Sequence, residues 1–287
     1  MRPENLWTDI FLDSGNPRET KDIKDLLGFL DGQTTNPTLV ARNPHVEAAL
    51  QEGKKFQKKE LLHLYKGILE SISFCIPKRS VSVEVYVDRS TTVKEMVTQG
   101  REMASWIPNA HIKFPITREG LRATRELLKE GIRVNMTLCF SQEQAAAVYS
   151  ATQGAQRGDV FLSPFVGRLD DRKENGMDLI KNILRMYKKG DGHVKVLTAS
   201  IRNTQHLLYA IFLGSDILTA PFAILKEWKN EGLLIPEKDF TYDTGGLREI
   251  PYREIDITQS WERHDIAHEL TDQGLDRFSA DWNTLML

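Results

Sequence analysis

The sequence predicts an α/β protein built as one TIM-type (β/α)8 barrel. Eight short, β-prone apolar runs recur along its 287 residues. Helix-like stretches separate them, and a (β/α)8 barrel takes roughly 250 residues. No glycine-rich dinucleotide or P-loop turn follows an early strand, which argues against the doubly wound open sheet.

The eight runs are Ile10–Ser14, Gly32–Asn36, Val81–Tyr86, His111–Phe114, Val134–Leu138, Val160–Ser163, Val194–Ser200 and Asp216–Ala220. Between them, Arg118–Glu130 carries Leu121, Thr124, Leu127 and Leu128 at helical spacing, with Gly131 as its stop. Gln142–Tyr149 is entered through Ser141 as an N-cap, and Asn203–Leu213 is closed by Gly214. Two stretches exceed a minimal barrel: His45–Arg79, rich in Lys and Glu, and Lys226–Trp261, which carries Pro236, Gly245, Gly246 and Pro251. The reading is one domain over residues 1–287, with an insertion at 226–261 near the active-site rim. A C-terminal helix covers 270–287, its Phe278, Trp282 and Leu285 spaced for one face. That face would pack on the barrel or on a neighbouring subunit, so a homo-oligomer is an open expectation.

Composition narrows the function classes. A net charge of −2 gives no basic field for nucleic acid. Two cysteines, Cys75 and Cys139, are too few for a disulfide framework and fit a reducing cytosol, so a cytoplasmic location is expected. No apolar run is long enough to span a membrane, and Met1–Thr8 lacks the apolar core of a signal peptide. His264 and His268 share an i, i+4 spacing, but no third ligand accompanies them, so a polar helix face or loop is expected rather than a metal site.

Polar residues at the strand ends carry the functional signal, because barrel chemistry sits at that rim. They are Asp13, Thr35 with Asn36, Glu84, Lys113, Asn135 with Thr137, Ser163 and Ser200. Alone, Lys113 reads as a snorkelling side chain. Inside a barrel, desolvation disfavours ammonium, and such an amine can attack a carbonyl to form a Schiff base. Asp13 and Glu84 would supply the proton transfers that carbinolamine chemistry requires.

Six motifs then occur in order. They are Phe11-Leu12-Asp13-Ser14-Gly15-Asn16, Thr34-Thr35-Asn36-Pro37-Thr38-Leu39, Ile112-Lys113-Phe114-Pro115-Ile116-Thr117, Asn135-Met136-Thr137-Leu138-Cys139-Phe140-Ser141, Ser163-Pro164-Phe165-Val166-Gly167-Arg168-Leu169-Asp170-Asp171 and Ala199-Ser200-Ile201-Arg202-Asn203. The series is similar to the transaldolases, including the fructose-6-phosphate aldolase branch, from about residue 10 to 224 and again at Leu270–Gly274.

The resemblance implies a class I mechanism on sugar phosphates, without metal or cofactor. By position, Lys113 matches the Schiff-base lysine and Asp13 the general acid/base. Glu84 matches the carboxylate that holds the catalytic water with Thr137. Thr35, Asn36, Asn135 and Ser163 match the strand-end region that holds the dihydroxyacetone moiety. Arg168, Ser200 and Arg202 match the distal-phosphate site, where a guanidinium fork suits phosphate. Aldolases of the group tend to carry Gln at the position of Glu84 and Tyr at that of Phe165, so both residues are of the transferase type. Gly15 stands where alanine is common, an exchange expected to matter little. The implied function is transfer of dihydroxyacetone from a ketose phosphate, sedoheptulose 7-phosphate or fructose 6-phosphate, to an aldose phosphate. That reaction belongs to the non-oxidative pentose phosphate pathway. Cleavage to free dihydroxyacetone, a related activity on another anionic sugar, and a non-catalytic binding barrel are the alternatives.

Overall fold

The computed structural model describes residues 2–287. Eight strands form a closed barrel in sequence order. They are β1 (Asp9–Asp13), β2 (Gly32–Thr34), β3 (Ser80–Glu84), β4 (Ala110–Pro115), β5 (Val134–Cys139), β6 (Val160–Pro164), β7 (Val194–Thr198) and β8 (Ile217–Ala220). All neighbours are parallel, and β8 closes on β1 with Asp9 opposite Ile217. The helices are α1 (Pro17–Leu27), α2 (Pro37–Ala41), α3 (Pro44–Gln51), α4 (Lys58–Cys75), α5 (Val93–Ala104) and α6 (Arg118–Lys129). They continue as α7 (Gln142–Ala151), α8 (Val166–Asp170), α9 (Gly176–Tyr187), α10 (Thr204–Leu213), α11 (Phe222–Asn230) and α12 (Glu269–Asn283).

Strand alternation sorts the side chains into two cores. Ile10, Leu12, Val81, Val83, Ile112, Phe114, Val134, Met136, Val160 and Leu162 join the core under the helices. Phe11, Phe161, Leu197, Ala199 and Ile217 form a smaller cluster inside the barrel. His111 stacks on Phe161 at 4.0 Å, and its ring nitrogens contact Ser80 Oγ and the Gly158 carbonyl. Burial lowers its pKa to about 3, so this histidine is a neutral part of the barrel floor. Gly32 makes room for the floor: a Cβ there would lie 2.3 Å from the Phe11 ring.

The helices start where local chemistry dictates. Asn16, Thr92, Thr117, Ser141 and Asn203 each accept a hydrogen bond from a first-turn amide. Pro17, Pro37 and Pro44 sit in first turns, where a missing N–H costs nothing. Gly214 closes α10 at φ 74°, the left-handed conformation that favours glycine.

The stretch 226–261 begins inside α11, runs without helix or strand, and ends at a 3-10 turn, Trp261–Arg263. Its first part lies near the N-terminal strand ends, where Ile235 and Pro236 share a cavity with Trp7 and Ser215. It then climbs the outer wall: Asn182 of α9 donates to the Ile250 carbonyl, and Gln142 of α7 donates to the Pro251 carbonyl. The route returns the chain from the foot of α11 to the upper rim, where α12 starts. There His264 contacts Glu143 through Nδ1 at 3.0 Å, whereas His268 stacks on Phe140 and caps α12. The two histidines thus serve separate packing roles.

Helix α12 lies across the upper end of this same barrel. Thr271 donates to the Leu138 carbonyl at 3.0 Å, and Gly274 packs so closely that a Cβ would sit 2.6 Å from Leu138 Cδ2. Trp282 meets Tyr65 of α4 edge-on at 5.6 Å.

Gly15, between β1 and α1, departs from the expectation of an innocuous exchange. A Cβ would lie 2.5 Å from the Leu39 carbonyl oxygen, a backbone atom with little freedom to yield. Gly15→Ala is therefore expected to destabilise the fold by about 1–3 kcal/mol, the usual cost of overpacking. Equilibrium urea unfolding checks this, and an unchanged midpoint would refute it.

Candidate active site

The strand register places the central groups. Glu84 on β3 is paired with Lys113 on β4, which is paired with Asn135 on β5. Lys113 is 3% exposed and Glu84 7%, and their Nζ and Oε2 atoms lie 2.7 Å apart. The contact is a close ion pair, but Oε2 has no well-aligned hydrogen-bond donor among the described residues. Lys113 Nζ also donates to the Thr35 carbonyl at 3.1 Å.

Asp13 stands across the barrel end. Thr34 donates to its Oδ1 at 2.6 Å, and the Thr34 and Thr219 hydroxyls meet at 2.7 Å. Burial raises the Asp13 pKa, opposed by the Thr34 hydrogen bond and by the charge of Lys113. Its side chain opens partly on the cavity, which moderates the burial effect. Glu84 is raised for the same first reason; Lys113 pulls it back and the charge of Asp13 pushes it up. Two carboxyls therefore share one ammonium in a region of low polarity.

An open cavity of ≈ 260 Å³ rises above these groups. Of the residues expected at the site, Asp13, Asn36, Lys113, Ser163, Phe165, Arg168, Ser200 and Arg202 line it. Glu84, Asn135 and Thr137 stand behind the lining. Asn135 donates to Ser82 Oγ at 3.0 Å and accepts from Ser163 Oγ at 2.7 Å. Thr137 Oγ1 is buried without a hydrogen-bond partner among the described residues.

Thr35 does not present its side chain to the cavity. Alternation turns it outward between Thr34 and Asn36, where its hydroxyl donates to the Ser82 carbonyl at 2.8 Å. That assignment leaves Tyr65 to donate to Thr35 at 2.9 Å, while Tyr65 accepts from the Glu84 amide at 3.1 Å. Thr35 therefore contributes its backbone, through the carbonyl that holds Lys113.

The far wall is built from α8 and the segment after β7, held in register. Val166 and Gly167 donate to the carbonyls of Ala199 and Ser200 at 3.0 and 3.1 Å. Ser200 adopts φ 60°, and a Cβ on Gly167 would fall 2.3 Å from Arg202 Nε. His206 joins α8 to that segment: its Nε2 lies 2.9 Å from Asp170 Oδ2, and its Nδ1 accepts from the Arg202 amide at 3.4 Å. Arg202 reaches Asp171 at 3.1 Å. Burial lowers the Arg168 pKa, and the neighbouring charges of Arg277 and Arg202 lower it further. Like charges gathered in one wall are costly alone and favour an anionic ligand.

Residues 10–287 match the family described as Transaldolase/Fructose-6-phosphate aldolase. The chain belongs to that family. It is 36% identical over 277 residues to a "Probable transaldolase" of Dehalococcoides mccartyi, covering 96% of this chain and 98% of the relative. A "Probable transaldolase" of Moorella thermoacetica is 35% identical over 273 residues, covering 95% and 96%. One of Paracoccus denitrificans is 32% identical over 272 residues, covering 95% of each.

This transaldolase-family enzyme also lines its cavity with residues that sequence reading missed: Thr34, Thr38, Arg42, Thr219, Arg277 and Phe278. Thr34 and Thr219 carried a signal, since alternation places them on the inward side with Asp13. Arg277 carried none, because its place depends on α12 crossing the barrel mouth. No residue of 226–261 lines the cavity.

Removing the ammonium tests the electrostatics. In Lys113→Met both carboxyls lose a lowering influence, so their folded-state pKa values move further above the unfolded ones. Stability linked to such groups is full at acid pH and is lost as pH rises through the folded pKa. The variant is expected to lose about 3–5 kcal/mol at pH 8 and distinctly less at pH 5. Denaturant unfolding at both pH values measures this; an equal loss at each would contradict the shared-ammonium picture.

Proposed function

We propose that the enzyme is a transaldolase acting through a Schiff base on Lys113. The observation that carries the reading is the buried Lys113–Glu84 pair, with Asp13, at the base of a cavity whose opposite wall bears Arg168 and Arg202. A ketose phosphate bound there would set its carbonyl at the amine and its phosphate at the guanidiniums.

The residues support a sequence of proton movements. Glu84 takes a proton from Lys113, and the neutral amine adds to C2 of the ketose. The carbinolamine hydroxyl is protonated and leaves as water, which gives the iminium. Asp13 removes the proton of the C4 hydroxyl, the C3–C4 bond breaks, and its electrons pass into the iminium to form an enamine. The aldose phosphate leaves. A second aldose phosphate accepts the enamine carbon, and the reverse steps release the new ketose. Glu84 and Thr137 hold buried oxygens with unsatisfied bonding capacity, which suits them to hold the water that carries these protons. Asn36 uses its carbonyl oxygen to cap α2, accepting from the Leu39 amide at 3.0 Å, and its NH2 group remains to donate to dihydroxyacetone.

Phe165 favours transfer over cleavage. It lines the cavity with Lys113 and has no hydroxyl to pass a proton to the enamine, so the intermediate persists until an aldehyde arrives. Donor sugars of the non-oxidative pentose phosphate pathway, sedoheptulose 7-phosphate and fructose 6-phosphate, fit this reading. Metabolism of such soluble substrates accords with a cytoplasmic site. No helix among the described residues is long and apolar enough to cross a membrane.

Incubation with fructose 6-phosphate and borohydride is expected to give a stable mass adduct on Lys113. Addition of erythrose 4-phosphate, without borohydride, should yield sedoheptulose 7-phosphate. Absence of an adduct, with turnover preserved in Lys113→Ala, would sink the mechanism. In Phe165→Tyr, release of free dihydroxyacetone should rise about tenfold, below the roughly hundredfold or more of a fully positioned general acid because the new hydroxyl has no built partner. No rise, measured with a coupled reductase, would remove the stated basis for transfer.

A further inference from the structure

Four guanidiniums line the cavity, and two lie outside the six sequence motifs: Arg42 at the end of α2 and Arg277 on α12. Arg277 is half-exposed, and its ion-pair partner among the described residues is Asp281, one turn on, at 3.9 Å. That separation is too long for a hydrogen bond. Asp281 is already engaged by the hydroxyl of Thr38 on α2. This contact fixes α12 against the cavity wall and leaves the Arg277 guanidinium weakly neutralised above the cavity.

The opposite side of the same wall is also short of negative charge. Arg202 has Asp171, but Arg168 has no ion-pair partner among the described residues. A phosphate monoester carries close to two negative charges at neutral pH, which two guanidiniums with one attached carboxylate do not balance. Arg277, loosely held and close enough to Arg168 to lower its pKa, adds positive charge where that pairing falls short.

We infer that Arg277 is a specificity-determining residue: α12 contributes it as a third guanidinium to the anion-binding end of the cavity, for a dianionic phosphate on the substrate. The inference rests on the reading of the cavity as a sugar-phosphate site. Its consequence is that the terminal helix takes part in recognition and is more than a cover. The guanidinium leaves Asp281 and closes on phosphate oxygens, while Asp281 stays with Thr38.

The test compares Arg277→Ala, Arg277→Gln and Arg277→Lys with the intact enzyme. Calorimetric titration with inorganic phosphate reads the site without catalysis, and fructose 6-phosphate kinetics separate KM from kcat. Arg277→Ala and Arg277→Gln should weaken phosphate binding and raise KM about tenfold, the scale of one charge-assisted contact at a half-exposed site. KM should change more than kcat, the penalty should shrink with unphosphorylated fructose, and Arg277→Lys should recover part of the loss. Unchanged phosphate affinity in both neutral variants overturns the inference. So does an equal penalty with fructose, which would mean that α12 had merely shifted. Borohydride trapping on Lys113 in the intact enzyme keeps the two readings apart: no adduct there defeats the proposed mechanism, whereas an adduct with unaltered phosphate binding in the variants defeats only the role of Arg277.

Discussion

The buried pair of Lys113 and Glu84 is the constraint around which the upper barrel is organised. Two charges removed from water cost several kcal/mol each unless close geometry and further hydrogen bonds compensate. The surroundings supply only part of that. The Thr35 carbonyl accepts from the amine, Tyr65 fixes the Glu84 backbone, and Asp13 is steadied by the Thr34 and Thr219 hydroxyls. Glu84 Oε2 and Thr137 Oγ1 remain under-satisfied. A core evolved for stability alone would not leave such atoms buried, and the floor beneath shows the contrast. There Phe11, Phe161 and neutral His111 fill the interior with their polar atoms paired.

The division of labour follows from barrel geometry. Strands hold Asp13, Glu84 and Lys113 rigidly, because each strand is fixed by two neighbouring ladders. The arginines of the cavity wall come instead from α8, from α12, from the end of α2 and from the segment after β7. His206 ties α8 to the segment after β7, through Asp170 on one side and the Arg202 amide on the other, so the backbones that carry Arg168 and Arg202 are held to a common partner. The route up the outer wall, through Asn182 and Gln142, delivers α12 to the mouth without obstructing it.

Much of this was legible in the sequence. The eight apolar runs and their helices were readable because periodicity and caps are local properties. The polar strand ends were readable because a barrel gives them one common rim. What escaped was set by tertiary geometry. Thr35 was grouped with Asn36 as a strand end, but one residue of alternation separates the two faces. Gly15 looked exchangeable because nothing in its neighbours in sequence announces the Leu39 carbonyl above it. The stretch 226–261 follows strand eight in sequence and so suggested the rim. Its path begins at the foot of the barrel instead. Arg277 sits on a helix whose sequence shows an apolar face but not what that face crosses.

The Thr38–Asp281 contact joins residues 243 apart in the chain. Glu84 and Lys113, in contrast, lie on consecutive strands. Loop-closure entropy grows with the logarithm of separation, so the cavity wall carries about 2 kcal/mol more closure cost than the lysine pair. Contacts of that span repay their cost only when the intervening chain is already ordered. Lys113 and Glu84 can therefore meet before α12 is fixed across the barrel mouth, whereas Asp13, tied through Thr34 to Thr219, waits on closure of the barrel. Local opening at α12 would widen the cavity above Lys113 while leaving every strand ladder of the barrel intact.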